Sequence, residues 1–218
     1  MTLNQEKISF LQRKLLKWGK DNYRDYYWRT STNPFHILIA EMMLHRTKSD
    51  QVAIVYADFI REYNTPKKLS MATYTEIYDR LKPLGLFWRI KNFIECAKMI
   101  CEKYDSMVPN KKEELLMLPG VGDYIAGAVM CIAFGIKTPL LDSNIIRILG
   151  RVYGYPITEN SRRNQKYLIT IDNLLPDDKC KEFLFALIDF GHFICISKNP
   201  KCEECLINTI CTYKLNNK

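Results

Sequence analysis

Apolar residues recur at three- and four-residue spacing along most of the chain, and glycines and prolines fall between these runs rather than within them. The pattern predicts helices near 5–20, 34–45, 49–63, 73–80, 88–104, 111–117, 123–134, 143–153, 162–174 and 178–193. No strand-like alternation competes, so the expected fold class is all-α. Asn33-Pro34 supplies a side-chain cap and a first-turn proline for one helix, and Leu118-Pro119-Gly120-Val121-Gly122 forces a tight turn between two others. There is no internal repeat, low-complexity tract or flexible linker. Any second domain is therefore expected to pack closely against the first, with both chain ends contributing to it.

Composition narrows the class. A chain of 218 residues suits one or two domains with a real core. The excess of 32 Lys+Arg over 24 Asp+Glu gives a formal charge of +8, which suits a polyanionic partner such as nucleic acid or an anionic membrane surface. The opening residues mix Lys7, Arg13, Lys14 and Lys17 with apolar positions at helical spacing, which is not a secretory signal. Apolar runs such as 35–40 and 126–135 fall short of a membrane span. A cytosolic protein is expected, and in that reducing compartment eight cysteines do not imply disulfides.

The cysteines are distributed unevenly. Cys96, Cys101, Cys131 and Cys180 are scattered through helix-like segments, whereas Cys195, Cys202, Cys205 and Cys211 are separated by only six, two and five residues. Four thiolates in so short a loop can surround one zinc ion or an iron–sulfur cluster. The alternative is four unrelated reduced thiols. Lys198, Lys201 and Lys214 lie in or beside the loop, so a bound metal centre would present a basic surface for phosphate contact.

Other candidates each carry a plain structural alternative. The 118–122 turn offers close backbone approach and a following helix N-terminus for a phosphate, or is only a turn. Asp142 precedes the apolar-periodic Ile145, Ile146, Leu149 and Val152 and reads first as a helix cap. Glu41 lies among Ile37, Leu38 and Leu44, where desolvation favours its neutral, acidic form; an exposed or paired glutamate is the alternative.

The stretch from Leu118 to Gly135, followed by Leu141-Asp142-Ser143-Asn144 and Arg147, resembles the helix-hairpin-helix (HhH-GPD) DNA glycosylase superfamily that includes endonuclease III and MutY. The terminal cysteine spacing matches the same families, as does Tyr26-Tyr27-Trp28-Arg29 followed by Ile39-Ala40-Glu41-Met42-Met43-Leu44. The resemblance implies a six-helix barrel domain over 26–134, with its hairpin at about 111–134. It implies a cluster domain built from 1–25 and 135–218, a [4Fe-4S] cluster on the 195–211 loop, and an active-site cleft between the two domains. It also implies a monomer acting on double-stranded DNA that contains a mispaired base, in the nucleoid-associated cytoplasm of a prokaryotic cell.

The residue roles follow by resemblance. Asp142 matches the carboxylate beside the flipped nucleotide, and Glu41 the acid toward the departing base. Bifunctional relatives carry a lysine amine at the position of Tyr124, so tyrosine here implies a monofunctional enzyme that uses water. Arg24 and Arg29 match basic positions near the pocket. His45 and Arg46 follow the catalytic helix where relatives fill the gap left by the flipped base, and Leu86-Phe87-Trp88-Arg89 is another wedge candidate or simply core. Leu118, Gly120, Val121 and Gly122 would contact DNA, and Asn144 would border the substrate.

His45-Arg46 and Asp142-Ser143-Asn144 stand closer to the Arg-Arg and Asp-Ala-Asn of the archaeal thymine-mismatch branch, Mig, than to the Gln-Gln and Asp-Gly-Asn of MutY. Only seven residues follow Cys211, leaving no room for the oxidised-guanine domain that MutY normally adds. The expected substrate is thymine, or uracil, opposite guanine. Adenine opposite guanine or 8-oxoguanine is the alternative base, and a non-enzymatic DNA-binding iron–sulfur module the alternative class.

Overall fold

The structure is a computed structural model that describes residues 4–85 and 87–216. Helices account for all of its regular structure among the described residues, as the spacing of apolar positions predicts. The chain divides into two compact units, one formed by the chain up to Arg24 with Gly135 onward, the other by Asp25–Phe134. None of the helices among the described residues is long and apolar enough to cross a membrane.

The chain opens with α1 (Gln5–Asn22), capped by the Asn4 side chain, and its stripe of Ile8, Leu11 and Leu15 is buried. The 25–134 unit then begins with the short α2 (Tyr27–Thr30) and reaches α3 (Pro34–Leu44). The Asn33 side chain accepts from the Phe35 and His36 amides, and Pro34 occupies the first turn. Phe35 and every residue from Ile37 to Met43 are buried, so α3 is buried on nearly all sides and forms the axis of this unit. It is followed by α4 (Ser49–Glu62), which packs on it, then α5 (Pro66–Ser70) and α6 (Tyr74–Leu81), the last started by a reciprocal Thr73–Glu76 capping box. Next are α7 (Ile90–Lys103), α8 (Lys112–Leu116) and α9 (Asp123–Ala133), which packs on α3.

The other unit resumes with α10 (Ser143–Tyr153), α11 (Gln165–Leu174), α12 (Cys180–Phe193) and α13 (Thr212–Asn216). Its core joins the stripe on α1 to Phe183, Leu184, Leu187 and Phe190 on α12 and to Ile145, Ile148 and Leu149 on α10. α2, α5 and α13 are single turns of four or five residues, too short to show a helical period. The expected helix at 162–174 splits into a 3₁₀ stretch, Glu159–Arg163, and α11, because Asn164 is extended and caps α11 by accepting from the Lys166 amide. The expected 88–104 helix starts at Ile90, after a 3₁₀ turn over Phe87–Arg89.

Candidate active site

In the unit formed by the chain ends, one continuous polar chain surrounds Asp142. The carboxylate caps α10, accepting from the Ile145 amide at 2.6 Å on one oxygen and from the Asn144 side chain at 2.8 Å on the other. Asn144 is itself oriented by Arg147, whose guanidinium donates to Asn144 Oδ1 at 2.8 Å, to the Gly191 carbonyl at 2.7 Å and to the Cys195 carbonyl at 2.7 Å. A donor on Asn144 Oδ1 leaves only the amide nitrogen to face Asp142, so the orientation of Asn144 is fixed by chemistry. Residue 191 has to be glycine here, since a Cβ at that point would stand 2.6 Å from the Asn144 Cβ. The backbone of α12 thus presses directly on the asparagine that holds the carboxylate.

Burial pushes the Asp142 pKa upward, against the lowering effect of the Ile145 amide, the Asn144 side chain and the Arg147 charge. The result is an ordered carboxylate in a partly desolvated place, suited to stabilising nearby positive charge. The same helix secures the cysteine loop. One turn beyond Arg147, Arg151 donates to the Ile196 carbonyl at 2.7 Å, to the Ser197 carbonyl at 2.8 Å and to Cys195 Sγ at 3.3 Å. Cys195, Cys202, Cys205 and Cys211 line one cavity with Val152, Phe190, Ile194 and Ile207. Burial raises the Cys195 thiol and pushes Cys205 up to about 11, with the other three cysteines adding to the latter shift. Among the described residues, no three His, Cys, Asp or Glu side chains converge closely enough to hold one metal ion.

In the 25–134 unit, Glu41 lies buried in the middle of α3. The Tyr56 hydroxyl donates to the His36 carbonyl at 2.7 Å, and burial raises its pKa, with Tyr27 and Glu41 adding to the shift. The sequence motif around residues 26–29 becomes an aromatic layer. Tyr26 stacks on Trp28 at 4.5 Å, Trp28 meets Tyr56 edge-on at 5.4 Å, and the Arg29 guanidinium lies over the Tyr26 ring at 5.6 Å. Tyr124 sits half-buried in the first turn of α9, which packs on the helix carrying Glu41.

The 118–122 turn has buried Leu118 and Val121 as anchors and Gly120 at φ 83°. A Cβ on Gly120 would meet the Asn92 Cβ at 2.9 Å and Met42 Cε at 3.2 Å, whereas one on Gly122 would meet nothing within 4 Å. Gly120→Ala is accordingly expected to lower stability by about 1–3 kcal/mol, combining a left-handed backbone with a clash. Gly122→Ala is the control that should melt close to wild type. Equal melting of both proteins would show that the turn is not constrained at Gly120.

The remaining sequence candidates take varied places. Arg24 donates to Asp189 through Nε at 2.6 Å and through its backbone amide at 3.0 Å, so it is engaged by a fully buried carboxylate of its own unit. His45 is half-buried and Arg46 exposed just past the end of α3. Of the second wedge candidate, Leu86 lies outside the described residues, Phe87 and Trp88 are exposed, and Arg89 is only 5% exposed. The aromatic pair is therefore not core, and Arg89 is not a surface arginine. Arg147 was visible in the sequence only as part of a motif, and Arg151 not at all. Their signal is a polar stripe, Asn144, Arg147 and Arg151 at spacings of three and four, opposite the apolar face of α10.

Residues 39–169 match the model of the HhH-GPD superfamily base excision DNA repair proteins. The chain is 39% identical over 97% of its length to a thymine-DNA glycosylase of Aeropyrum pernix, covering 97% of that protein. It is 35% identical over 96% of its length to a thymine/uracil-DNA glycosylase of Methanothermobacter thermautotrophicus, covering 95% of it. The solved structure of a thermostable thymine-DNA glycosylase superposes with a TM-score of 0.91 at 32% identity, over 97% of this chain and 98% of that one. With the buried glutamate helix, the glycine turn and the capped aspartate all inside or beside the matched span, the chain belongs to the HhH-GPD superfamily of base excision DNA repair proteins.

Proposed function

We propose that this protein is a monofunctional DNA glycosylase that extrudes thymine or uracil opposed to guanine from double-stranded DNA and hydrolyses its N-glycosidic bond. The observation that carries the reading is the ordered, partly buried carboxylate of Asp142, held on both oxygens. Relatives of nearly equal length carry thymine or thymine/uracil in their names, which supports the choice of base.

In this reading the bond between the base nitrogen and C1′ breaks with its electrons leaving on the base. The Asp142 charge stabilises the cationic sugar, and water adds to C1′ with loss of its proton. Glu41, buried on α3, supplies a proton or hydrogen bond to the departing base. Arg46 and His45 occupy the gap that extrusion leaves, Arg29 borders the pocket, and the 118–122 turn offers its amides to a phosphate. Tyr124 provides no amine, so no imine forms with the sugar and the product is an intact abasic strand.

The cysteine loop supports a [4Fe-4S] cluster held by Cys195, Cys202, Cys205 and Cys211. Four cysteines that line one cavity, spaced by six, two and five residues, suit all-cysteine ligation of such a cluster. Thiols held up by burial need such a cationic centre to ionise. When bound, the cluster would cross-link residues 195–211 and stiffen the loop that Arg147 and Arg151 grip.

The reading is tested on duplexes carrying T, U or A opposite G or 8-oxoguanine, scored for alkali-labile sites, with parallel borohydride trapping. Release of T and U opposite G without a trapped adduct is expected. Release of adenine alone would overturn the base assignment, and an adduct would overturn the water mechanism. Absence of release from any duplex would overturn the enzyme reading.

A further inference from the structure

The turn that ends α3 is held in a conformation its own residues oppose. Arg46 has φ 62°, in the left-handed region that a side chain disfavours. The neighbouring Thr47 hydroxyl is buried without a hydrogen-bond partner among the described residues. Burial and the nearby Arg46 charge both lower the Arg89 pKa, so two like charges also meet in this place. Such a cluster persists only where surrounding structure over-determines it.

The compensating contact comes from Arg89. Its Nη1 donates at 2.9 Å to the Met42 carbonyl, one of the last four on α3 and so one that the helix end leaves exposed to outside donors. A cation there also complements the negative end of the helix dipole. The guanidinium lies over the Trp88 ring at 4.9 Å, so packing fixes its direction. Met42 extends the other way, its methyl against the Gly120 position that Asn92 also crowds. Through this one residue the arginine is linked to the 118–122 turn.

We infer that Arg89 is a positioning residue that clamps the carbonyl end of the Glu41 helix and fixes the turn presenting Arg46, so that base extrusion rather than bond cleavage depends on it. The inference rests on the glycosylase reading above. Without the clamp the strained turn relaxes, Arg46 leaves its place, and the opened duplex loses the side chain that holds it open. Asp142 and the groups that hold it are untouched.

The test uses 2-aminopurine beside the target thymine, whose fluorescence rises when the base leaves the stack, in an Asp142→Asn background that stops at extrusion. Arg89→Met keeps the apolar stem but donates nothing, and is expected to reduce the extrusion equilibrium roughly tenfold, the scale of one charge-assisted hydrogen bond. Arg89→Lys, which restores one cationic donor, is expected to recover most of it, and it carries the test if Arg89→Met fails to fold. Arg46→Ala should give a similar loss, with little added by Arg89→Met, because the two act through one turn. An unchanged extrusion signal, or additive losses in the double variant, would assign Arg89 to packing alone. Wild-type protein that releases no base from any duplex would instead remove the glycosylase reading itself.

Discussion

Asp142→Asn is expected to cut single-turnover excision by about 10²–10⁴-fold, the range of a lost acid–base or charge-stabilising group, with no comparable loss of fold. The separation is possible because Asp142 has two jobs that asparagine divides. Its oxygen accepts from the Ile145 amide as the cap of α10, and asparagine caps as well as aspartate does. The charge is lost, and so is the contact in which Asn144 donates to the second oxygen. Asp142→Ala removes the cap too and is expected to cost about 1 kcal/mol more stability. If Asp142→Asn kept wild-type rates, the aspartate would be only a helix cap.

The same substitution has a pH signature. Burial raises the folded pKa of Asp142 above its unfolded value of 3.8, so in the window between the two the folded state binds more protons. Wild-type stability relative to Asp142→Asn therefore falls as pH rises from the unfolded pKa through the folded one, and then levels. Denaturant melts of both proteins across that range should converge or cross with rising pH. A carboxyl group whose ionisation costs the fold stability is the expected mark of a group retained for chemistry.

Much of this site was legible in the sequence because its signals are local. Asn33-Pro34 starts α3 as a cap and first-turn proline must, and the apolar run around Glu41 makes that glutamate buried. The Pro-Gly-Val-Gly turn separates α8 from α9, and the apolar period after Asp142 makes it a cap. What escaped depends on tertiary contacts that no spacing encodes. Phe87 and Trp88 stay exposed while Arg89 beside them is buried, because Arg89 finds a carbonyl 47 positions earlier in the chain. Arg24 matches a basic position near the pocket, yet its guanidinium meets Asp189, which lies 165 positions away. Arg147 stands on the polar face of α10 like an ordinary solvated arginine, and only the return of α12 and the cysteine loop gives it two backbone acceptors, the Gly191 and Cys195 carbonyls.

That convergence makes Arg147→Met the second variant with a large expected effect. Methionine preserves the apolar stem but removes the donors to Asn144, Gly191 and Cys195 together. Asn144 is then free to rotate its amide, and a misplaced carboxylate of this kind costs about 10²-fold in excision. The loss of positive charge also removes one of the effects that hold the Asp142 pKa down, so the acid limb of the pH–rate profile should move to higher pH. Arg151→Met provides the contrast, since Arg151 grips the backbone of Cys195, Ile196 and Ser197 and makes no bond to Asn144. It is expected to loosen the cysteine loop, readable under the proposed cluster reading as faster loss of iron on chelation, while leaving the acid limb in place. If both variants moved the limb equally, the cysteine loop itself would set the ionisation of Asp142. If neither moved it, the bonds from Arg147 would serve only the packing of α10 on α12 and the cysteine loop, and the carboxylate would owe its position to its cap alone.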